Sequence, residues 1–346
     1  MNTRMVKQIA GIDVAQKELV VTIGRMDESW TAELYGYKVF PNTAKGFALL
    51  LDWVKNKSIP DLPFRFVMEA TGVYHESLAY YLDEQQQAVT IVLPNKISNY
   101  ARTLDIKTVT DKTASEAICR FGLERKLSDW KRPHPVYKRL RQLTRERDQV
   151  IQSRTVAKNQ LHAETSEAEP YDQSIARINQ QIALLDKQEK QIKEEIADMI
   201  KQYPEIKAVV ELLCSVPGIG VLTAVTILGE TNGFELVRNK RQISSYAGLD
   251  IQEKQSGTSV KGKPRISKRG NKHLRKSLHL PALAAIRHCE RFKAIFTRLV
   301  SKHGIKMKAA VAIQRKLLEI VYTVFKTKCR YDNNYLNKHH EIVAHQ

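Results

Sequence analysis

Cysteine is scarce in this chain of 346 residues, and its four copies lie far apart. No close pair spacing, such as a zinc site or a dithiol redox motif requires, occurs among Cys119, Cys214, Cys289 and Cys329. They are expected to be reduced thiols of a cytoplasmic protein. A signal peptide is not expected either, because the N-terminus runs directly into a strand-like pattern.

The chain also has no long, unbroken apolar run. Residues 212–229 carry no charge, but Pro217, Gly218 and Gly220 interrupt them near their start. We expect two short buried helices around a turn rather than a membrane span. The turn resembles a helix-hairpin-helix, in which Gly218 and Gly220 would let backbone N–H groups approach a phosphate. A tight turn without a ligand is the alternative.

Acidic residues are missing altogether between Lys254 and Cys289, whereas nine lysines and arginines fall between Lys254 and Lys276. The whole chain has a formal net charge of +19, which indicates a polyanionic partner, most often nucleic acid. A basic but otherwise ordinary enzyme is the alternative. The cations that we expect to contact phosphates are Lys261, Lys263, Arg265, Lys268, Arg269, Lys272 and Arg275.

A serine in this cationic segment has a further potential role. Ser256 could attack phosphorus as a nucleophile, and the nearby cations would stabilise the negative charge that develops. Ser259 and Ser267 compete with it for that role. A loop that binds nucleic acid without reacting is the alternative.

Carboxylates in the N-terminal third form a second candidate site. Asp13 lies in one apolar run, and Glu69 ends another. Asp111 begins a segment of helical character, and a carboxylate three residues later would share its face of the helix. Ala114 occupies that position and offers no ligand atom.

Such a set suits metal-dependent cleavage of a phosphodiester. That chemistry uses several carboxylates around metal ions, and Mg²⁺ prefers their hard oxygen atoms. We therefore predict a Mg²⁺ site formed by Asp13, Glu69 and Asp111. The alternative is that these acids merely end strands, although buried strand acids without a partner are uncommon.

Periodicity predicts an α/β domain over residues 1–130. Apolar and β-branched runs at residues 8–14 and 18–24 predict a hairpin, and residues 97–126 predict helix. Strands followed by strand–helix alternation predict a mixed sheet with helices on its faces.

The segment 131–205 has a different pattern. Apolar residues recur at alternating spacings of four and three, a coiled-coil signal that Glu189 interrupts. We predict two arms that fold back into an antiparallel hairpin and help the chain to oligomerise. The first arm is mainly basic and either contacts nucleic acid or presents an ordinary solvated face. Residues 206–330 are predicted to form a mostly helical domain, followed by a tail at 331–346.

These segments together resemble the insertion sequence one-ten family of transposases, which includes the Piv-like DNA invertases. The resemblance covers nearly the whole chain, and its ordered set of motifs is specific. In the N-terminal part it rests on Gly-Ile-Asp13, on Met-Glu69-Ala-Thr-Gly-Val-Tyr and on Thr-Asp111-Lys-Thr-x-x-x-Ala. In the C-terminal part it rests on Val-Pro217-Gly-Ile-Gly, Ser-Tyr-Ala-Gly248-Leu, Ser256-Gly and Ile-Ser-Lys268-Arg-Gly-Asn-Lys-His-Leu-Arg275.

The resemblance implies an N-terminal RuvC-like domain of the RNase H fold with an Asp-Glu-Asp-Asp metal site. It also implies a C-terminal transposase domain in which Ser256 is the nucleophile. The implied activity is recombination of an insertion element's DNA into a target. A structured bridge RNA pairs with donor and target DNA, so that base pairing provides most of the specificity. The family is multimeric, and its active site combines the acids of one protomer with the serine of another.

Ala114 departs from the family pattern, which has the fourth acid at this position. Loss of one carboxylate should weaken the second metal and slow strand cleavage severely. We interpret Ala114 as an engineered replacement of an aspartate, because all surrounding motif residues are intact. Two other functions stay open on the sequence: a RuvC-type nuclease that cleaves junctions or RNA, and a nucleic-acid-binding protein without catalytic activity.

Overall fold

The computed structural model describes residues 4–70, 72–104, 108, 110–252, 255–256, 260–261 and 265–332. It divides into two compact units, Met1–Arg132 and Pro133–Gln346. Each unit has buried apolar clusters of its own. Within the described ranges no helix is both long and apolar enough to span a bilayer.

The first unit is built on a five-stranded mixed sheet. Its elements are β1 (Met5–Val14), β2 (Glu18–Asp27), β3 (Ala32–Pro41), α1 (Ala44–Lys57), β4 (Phe64–Glu69), α2 (Glu76–Glu84), β5 (Ala88–Val92), α3 (Pro94–Ala101) and α4 (Asp111–Glu124). The strand order is β3-β2-β1-β4-β5. The first three strands are antiparallel, whereas β4 runs parallel to β1 and β5. The predicted mixed sheet with helices is confirmed.

Burial explains why β1 is the central strand. Residues 8–12 are all buried, and a strand buried on both faces needs cover on both. Ile12 packs in one apolar cluster with residues of α1 and α2. Ile9 packs in another with residues of α3 and α4. The sheet is therefore sandwiched between two helical layers.

The helical region predicted over residues 97–126 is two helices, because α3 ends at Ala101 and α4 begins at Asp111. A reciprocal cap sets the new start. Thr113 N donates to Thr110 Oγ1 at 3.2 Å, and Thr110 N donates to Thr113 Oγ1 at 2.8 Å. Such a capping pair satisfies backbone donors that a helix leaves free. It places Asp111 in the first turn of α4.

The second unit is mostly helical. It contains α5 (Pro135–Thr165), α6 (Asp172–Gln202), α7 (Pro204–Leu213), α8 (Val221–Thr231), α9 (Lys240–Tyr246), β6 (Ile251–Gln252), β7 (Gln255–Ser256), β8 (Val260–Lys261), β9 (Arg265–Ile266), α10 (Lys272–Ser277), α11 (His279–His288), α12 (Glu290–His303) and α13 (Lys306–Thr327).

Helices α5 and α6 pack against each other in opposite directions. Arg147 Nη2 lies 2.8 Å from Glu189 Oε1, and Arg154 Nη1 lies 2.6 Å from Glu189 Oε2. Arg154 also lies 2.5 Å from Asp186 Oδ1. Lys193 adds a third cation to Glu189, at 2.8 Å. The polar residue that interrupts the apolar pattern is therefore neutralised within the hairpin.

The hairpin is anchored at its base. Side chains from both arms belong to the core of the second unit, namely Val136, Leu140, Leu143, Ile192, Ile196 and Ile200. Farther out the apolar seam is only half-buried, as at Ile175 and Ile178. Val156 and Leu184 are exposed there.

Candidate functional site

Two acids lie at the carboxyl ends of neighbouring parallel strands. The register pairs Ile12 of β1 with Met68 of β4, and Asp13 and Glu69 are the next residues along each strand. Both side chains are half-buried. The sheet therefore presents the two carboxylates at one edge, as their place in the sequence predicted.

Helix α4 crosses β1 at very close range. A Cβ on Gly11 would lie 2.2 Å from Cys119 N and 2.6 Å from the carbonyl oxygen of Ser115. The buried hydroxyls of Ser115 and Thr22 are 2.7 Å apart and tie the same helix to β2. Only glycine permits this approach, because any side chain would push the helix away. The contact fixes the start of α4 near the sheet edge.

Asp111 is a third carboxylate whose charge acts on Asp13. Burial raises the pKa of Asp13. The negative charges of Asp111 and Glu69 raise this pKa further, whereas a hydrogen bond from the backbone N–H of Val14 lowers it. Like charges disfavour ionisation of a neighbouring acid. The structure thus brings together the three acids that the sequence singled out.

Ala114 lines the same cleft as Glu69. This cleft, of about 640 Å³, runs between β4, α3 and α4, and its lining also includes Arg102 and Thr113. Ala114 is half-buried. A carboxylate at position 114 would therefore share a cleft with Glu69.

The acids do not form a closed ligand set. In the part of the chain that the structure describes, no three His, Cys, Asp or Glu side chains lie close enough together to hold a metal ion. Burial is the main cause of the raised pKa of Asp13, and repulsion by the charges of Asp111 and Glu69 adds to it. Carboxylate oxygens are the ligands that Mg²⁺ prefers, and a cation would relieve that repulsion. The donor chemistry fits a divalent cation.

The predicted nucleophile lies on a small β-hairpin in the second unit. β7 pairs with β8 in antiparallel, with Ser256 opposite Val260. β6 pairs with β9, with Gln252 opposite Arg265. Only the backbone is described at Ser256 and Lys261, while Ser259 and Lys263 lie outside the described residues.

The segment that follows this hairpin is held on the residues that precede it. Ser267 Oγ lies 2.5 Å from Asp250 Oδ1, and Lys268 N donates to the Gly248 carbonyl at 3.1 Å. Arg275 Nη1 donates to the Ala247 carbonyl at 2.7 Å. These contacts close the base of the hairpin.

Three of the predicted cations are exposed on the same segment. Lys268, Arg269 and Lys272 are exposed, and Arg265 is exposed on β9. Arg275 is half-buried, because its guanidinium is partly used in the base of the hairpin. The exposed members are available to a ligand from solvent.

Glu230 is a buried acid of the second unit that the sequence did not single out. This acid lies in the last turn of the otherwise uncharged helix α8 and is 1% exposed. Asn271 Nδ2 donates to Glu230 Oε2 at 2.6 Å, and Arg145 donates to both carboxylate oxygens at 2.7 and 2.8 Å. Burial alone would raise the pKa of Glu230, but the bonds from Arg145 and Asn271 hold it below its ordinary value. The sequence signal that could have identified Glu230 is its position as a single acid in an otherwise apolar helix.

The two glycines of the predicted phosphate turn differ in their surroundings. Gly218 has φ +83°, and a Cβ there would lie 2.3 Å from the carbonyl oxygen of Pro281. A glycine is therefore needed at position 218 so that the turn can pack against α11. Gly220 precedes α8, and a Cβ there would meet nothing within 4 Å. A phosphate contact at this turn stays a prediction, for which Gly220 has the open space.

Family models of transposases match both units. A transposase model of the DEDD, IS110 type matches residues 10–168, the range that contains all four positions of the acidic site. A model described as "Transposase IS116/IS110/IS902 family" matches residues 210–297, which contain Ser256 and the basic segment. The acidic site and the basic segment, residues 254–276, therefore both lie in ranges that match models of transposases.

Similarity over most of the chain shows which family of transposases it belongs to. The chain is 30% identical to a pilin gene-inverting protein of Moraxella lacunata, over 85% of this chain and 89% of the relative. It is 29% identical to the pilin gene-inverting protein of Moraxella bovis over the same shares. The chain belongs to the IS110 family of transposases. Membership of this family implies a DNA-processing enzyme.

Two further proteins are similar to about a third of this chain. The transposase for insertion sequence element IS1111A of Coxiella burnetii is 30% identical over 34% of this chain and 33% of its own length. Among solved structures, Thermus thermophilus RuvC in complex with a Holliday junction substrate is 11% identical, with a TM-score of 0.28. That match covers 36% of this chain and 99% of RuvC.

Proposed function

We propose that this chain is built to cleave and exchange DNA strands between donor and target DNA, guided by a bridge RNA. In this proposal the acidic site and Ser256 act together. The observation that supports it is the position of Asp13 and Glu69 at the carboxyl ends of neighbouring parallel strands. Burial raises the pKa of Asp13, and the charges of Asp111 and Glu69 raise it further. Recognition of DNA would come largely from base pairing with the RNA.

Asp13, Glu69 and Asp111 would hold Mg²⁺. When bound, such ions polarise a phosphodiester and stabilise the attacking and leaving oxygens. Position 114 contributes no ligand here, because Ala114 ends in a methyl group in the cleft that Glu69 lines. The chain as it stands is therefore proposed to bind its nucleic acids but to cleave them poorly.

Ser256 is the serine that we favour as the nucleophile. Ser267 is already engaged with Asp250 at 2.5 Å and accepts a hydrogen bond from Arg269 N at 3.3 Å. A hydroxyl in such contacts helps to close the base of the hairpin and is poorly placed to attack. Cations of the same segment would stabilise the negative charge on phosphorus oxygens.

Nucleic-acid binding and assembly rest on two further features. The formal net charge of +19 supports binding of RNA and DNA backbones. The outer half of the α5–α6 hairpin leaves Val156 and Leu184 exposed. We propose that a second copy covers this part of the hairpin, as coiled-coil pairing would do. A composite site with acids and serine from different protomers then becomes possible.

The test is to supply the missing acid. Ala114→Asp should raise nicking of plasmid DNA carrying the element's ends by about 100-fold or more, in the presence of Mg²⁺ and the adjacent non-coding RNA. Ala101→Asp is the matched control, because Ala101 lines the same cleft from α3. Full activity of the chain as it stands would refute the role assigned to position 114.

One alternative is favoured by Ala114 itself. A nucleic-acid-binding protein without catalytic activity needs no fourth acid. Binding without turnover, even after Ala114→Asp, would support that function. A nuclease of the RuvC type would explain the acids but would leave Ser256 unused, and it would form no covalent protein–DNA adduct.

A further inference from the structure

A polar cleft of about 690 Å³ opens on the second unit. The long helix α5 forms one wall, with Asp148, Gln149 and Gln152. Helix α10 forms the facing wall, and α11 and α13 close the end with His279 and Gln314. The cleft is thus shared between the basic arm of the hairpin and the end of the basic segment.

Its lining is strongly unbalanced in charge. Lys272, Arg275 and Lys276 are basic, and Asp148 is the one acid among the lining residues. The glutamines and histidines add further hydrogen-bonding groups. Anions, and phosphate groups in particular, are the ligands that such a lining favours.

Asp148 already occupies part of this cationic surface. Lys276 Nζ lies 2.7 Å from Asp148 Oδ1, and His273 Nδ1 lies 3.6 Å from Oδ2. The Asp148 side chain is 22% exposed and that of Lys276 is 54% exposed. Because Lys276 is more than half exposed, water screens this ion pair and the pair stabilises the fold only weakly. A stronger anion can therefore displace the carboxylate at little cost.

The walls of the cleft are held in place by other contacts. Arg275 is fixed to the Ala247 carbonyl at 2.7 Å, and Leu274 between the lining residues is fully buried. His279 Nδ1 lies 3.0 Å from the amide nitrogen of Gln314, which is 4% exposed. A lining that is already ordered loses little entropy when it binds a ligand.

We propose that this cleft binds the phosphate backbone of a nucleic acid, and that Asp148 is an internal anion that this backbone displaces. The carboxylate stays paired with Lys276 and close to His273 until a phosphate replaces it. Weak polyanions are thereby rejected, and binding selects ligands that bring several phosphates at once. The inference rests on the proposed binding of nucleic acid by the basic segment, and it adds the site and the competitor.

The experiment removes the charge of Asp148 and measures the affinity of the chain for nucleic acid. Asp148→Asn should strengthen binding of the full chain to nucleic acid by about three- to tenfold at moderate salt. The plot of log affinity against log salt should become steeper by about 0.7–0.9, because Lys276 gains a phosphate contact. Fluorescence anisotropy with a random-sequence DNA duplex and with a double-stranded RNA of equal length provides both quantities and shows which backbone is preferred.

Glu146→Gln is the matched control. Glu146 is exposed on the same helix, two residues away and therefore about 200° around it, so the same charge change occurs outside the cleft. It should alter affinity by less than about twofold. In a Lys276→Gln background, Asp148→Asn should produce a smaller gain, because the residue that it frees is gone.

The outcomes separate this inference from the proposed function. Equal effects of Asp148→Asn and Glu146→Gln would overturn the inference while leaving nucleic-acid binding intact. No binding of either probe by the unaltered chain would overturn the proposed function itself. A gain confined to DNA or to RNA would support the site and identify its backbone.

Discussion

Arg145 on α5 and Glu230 on α8 form a two-point ion pair, with Nε–Oε1 at 2.7 Å and Nη2–Oε2 at 2.8 Å. The carboxylate is buried, while the guanidinium is 43% exposed. Asn271 adds a bond to the same carboxylate. One buried charge therefore joins the basic arm, helix α8 and the start of α10.

Removal of the cation should destabilise the second unit. Arg145→Ala leaves Glu230 buried with its charge uncompensated, and we expect a loss of about 3 kcal/mol in the free energy of unfolding. Urea unfolding followed by circular dichroism measures it. Arg139→Ala is the control, because Arg139 is exposed on the same helix and should cost under about 0.5 kcal/mol. Equal costs would show that the pair does not stabilise the fold.

A methyl group at Gly11 should separate the acids. Gly11→Ala places a Cβ 2.2 Å from the backbone of Cys119, so α4 must move and carry Asp111 away from Asp13. We expect a stability loss of about 1–3 kcal/mol or more and weaker Mg²⁺ binding by calorimetry in the Ala114→Asp background. At Gly24 the nearest atom is a side-chain methyl, Leu34 Cδ2 at 2.8 Å. Gly24→Ala should therefore weaken Mg²⁺ binding less.

Stability of the hairpin should fall in acid because of Glu189. Burial alone would raise the pKa of Glu189. Hydrogen bonds from Lys193, Arg147 and Arg154 outweigh that effect and lower this pKa to about 2. The unfolded chain has the ordinary value of 4.5, so the stabilisation is complete above that pH and is lost as the pH falls from there towards 2.

Thermal unfolding at pH 6 and pH 3 tests this expectation. We expect a loss attributable to Glu189 of about 1 kcal/mol, because the paired cations are partly solvated and screened. Glu189→Gln should remove this part of the pH dependence. Glu194→Gln, at an exposed position of the same helix, should leave it unchanged, and an unchanged pH profile for Glu189→Gln would contradict the assignment.

The serine assignment predicts a covalent intermediate. In the Ala114→Asp background, denaturing gels should show protein attached to labelled DNA, and Ser256→Ala should abolish that band. Ser267→Ala should retain it, although stability should fall by about 1 kcal/mol because the bond to Asp250 is lost. A band that survives Ser256→Ala and disappears with Ser267→Ala would reverse the two roles.

Local patterns predicted much of the first unit. The β1–β2 hairpin follows from two β-branched runs joined by a short polar link, and both strands are present. The break between α3 and α4 was not predicted. It depends on the reciprocal bonds of Thr110 and Thr113, and two threonines in a polar stretch do not by themselves distinguish a cap from a helix interior.

Sites made by distant residues were harder to predict. Asp13 and Glu69 were found because one lies within an apolar run and the other ends one, and the sheet brings the two together. Glu230 and Asp148 were missed, because Arg145 is 85 residues from the first and Lys276 is 128 residues from the second. Such pairings depend on how helices pack, and no local pattern encodes them.

The pairing of β6 with β9 brings residues 252 and 265 side by side. A segment that leaves and re-enters a fold at neighbouring points imposes little on that fold through its own length. We therefore expect that replacing the stretch between these two residues, which carries Ser256, leaves the packing of the surrounding helices unchanged. If Ser256 is the nucleophile, as proposed, the reactive group is open to redesign without changing the helices around it.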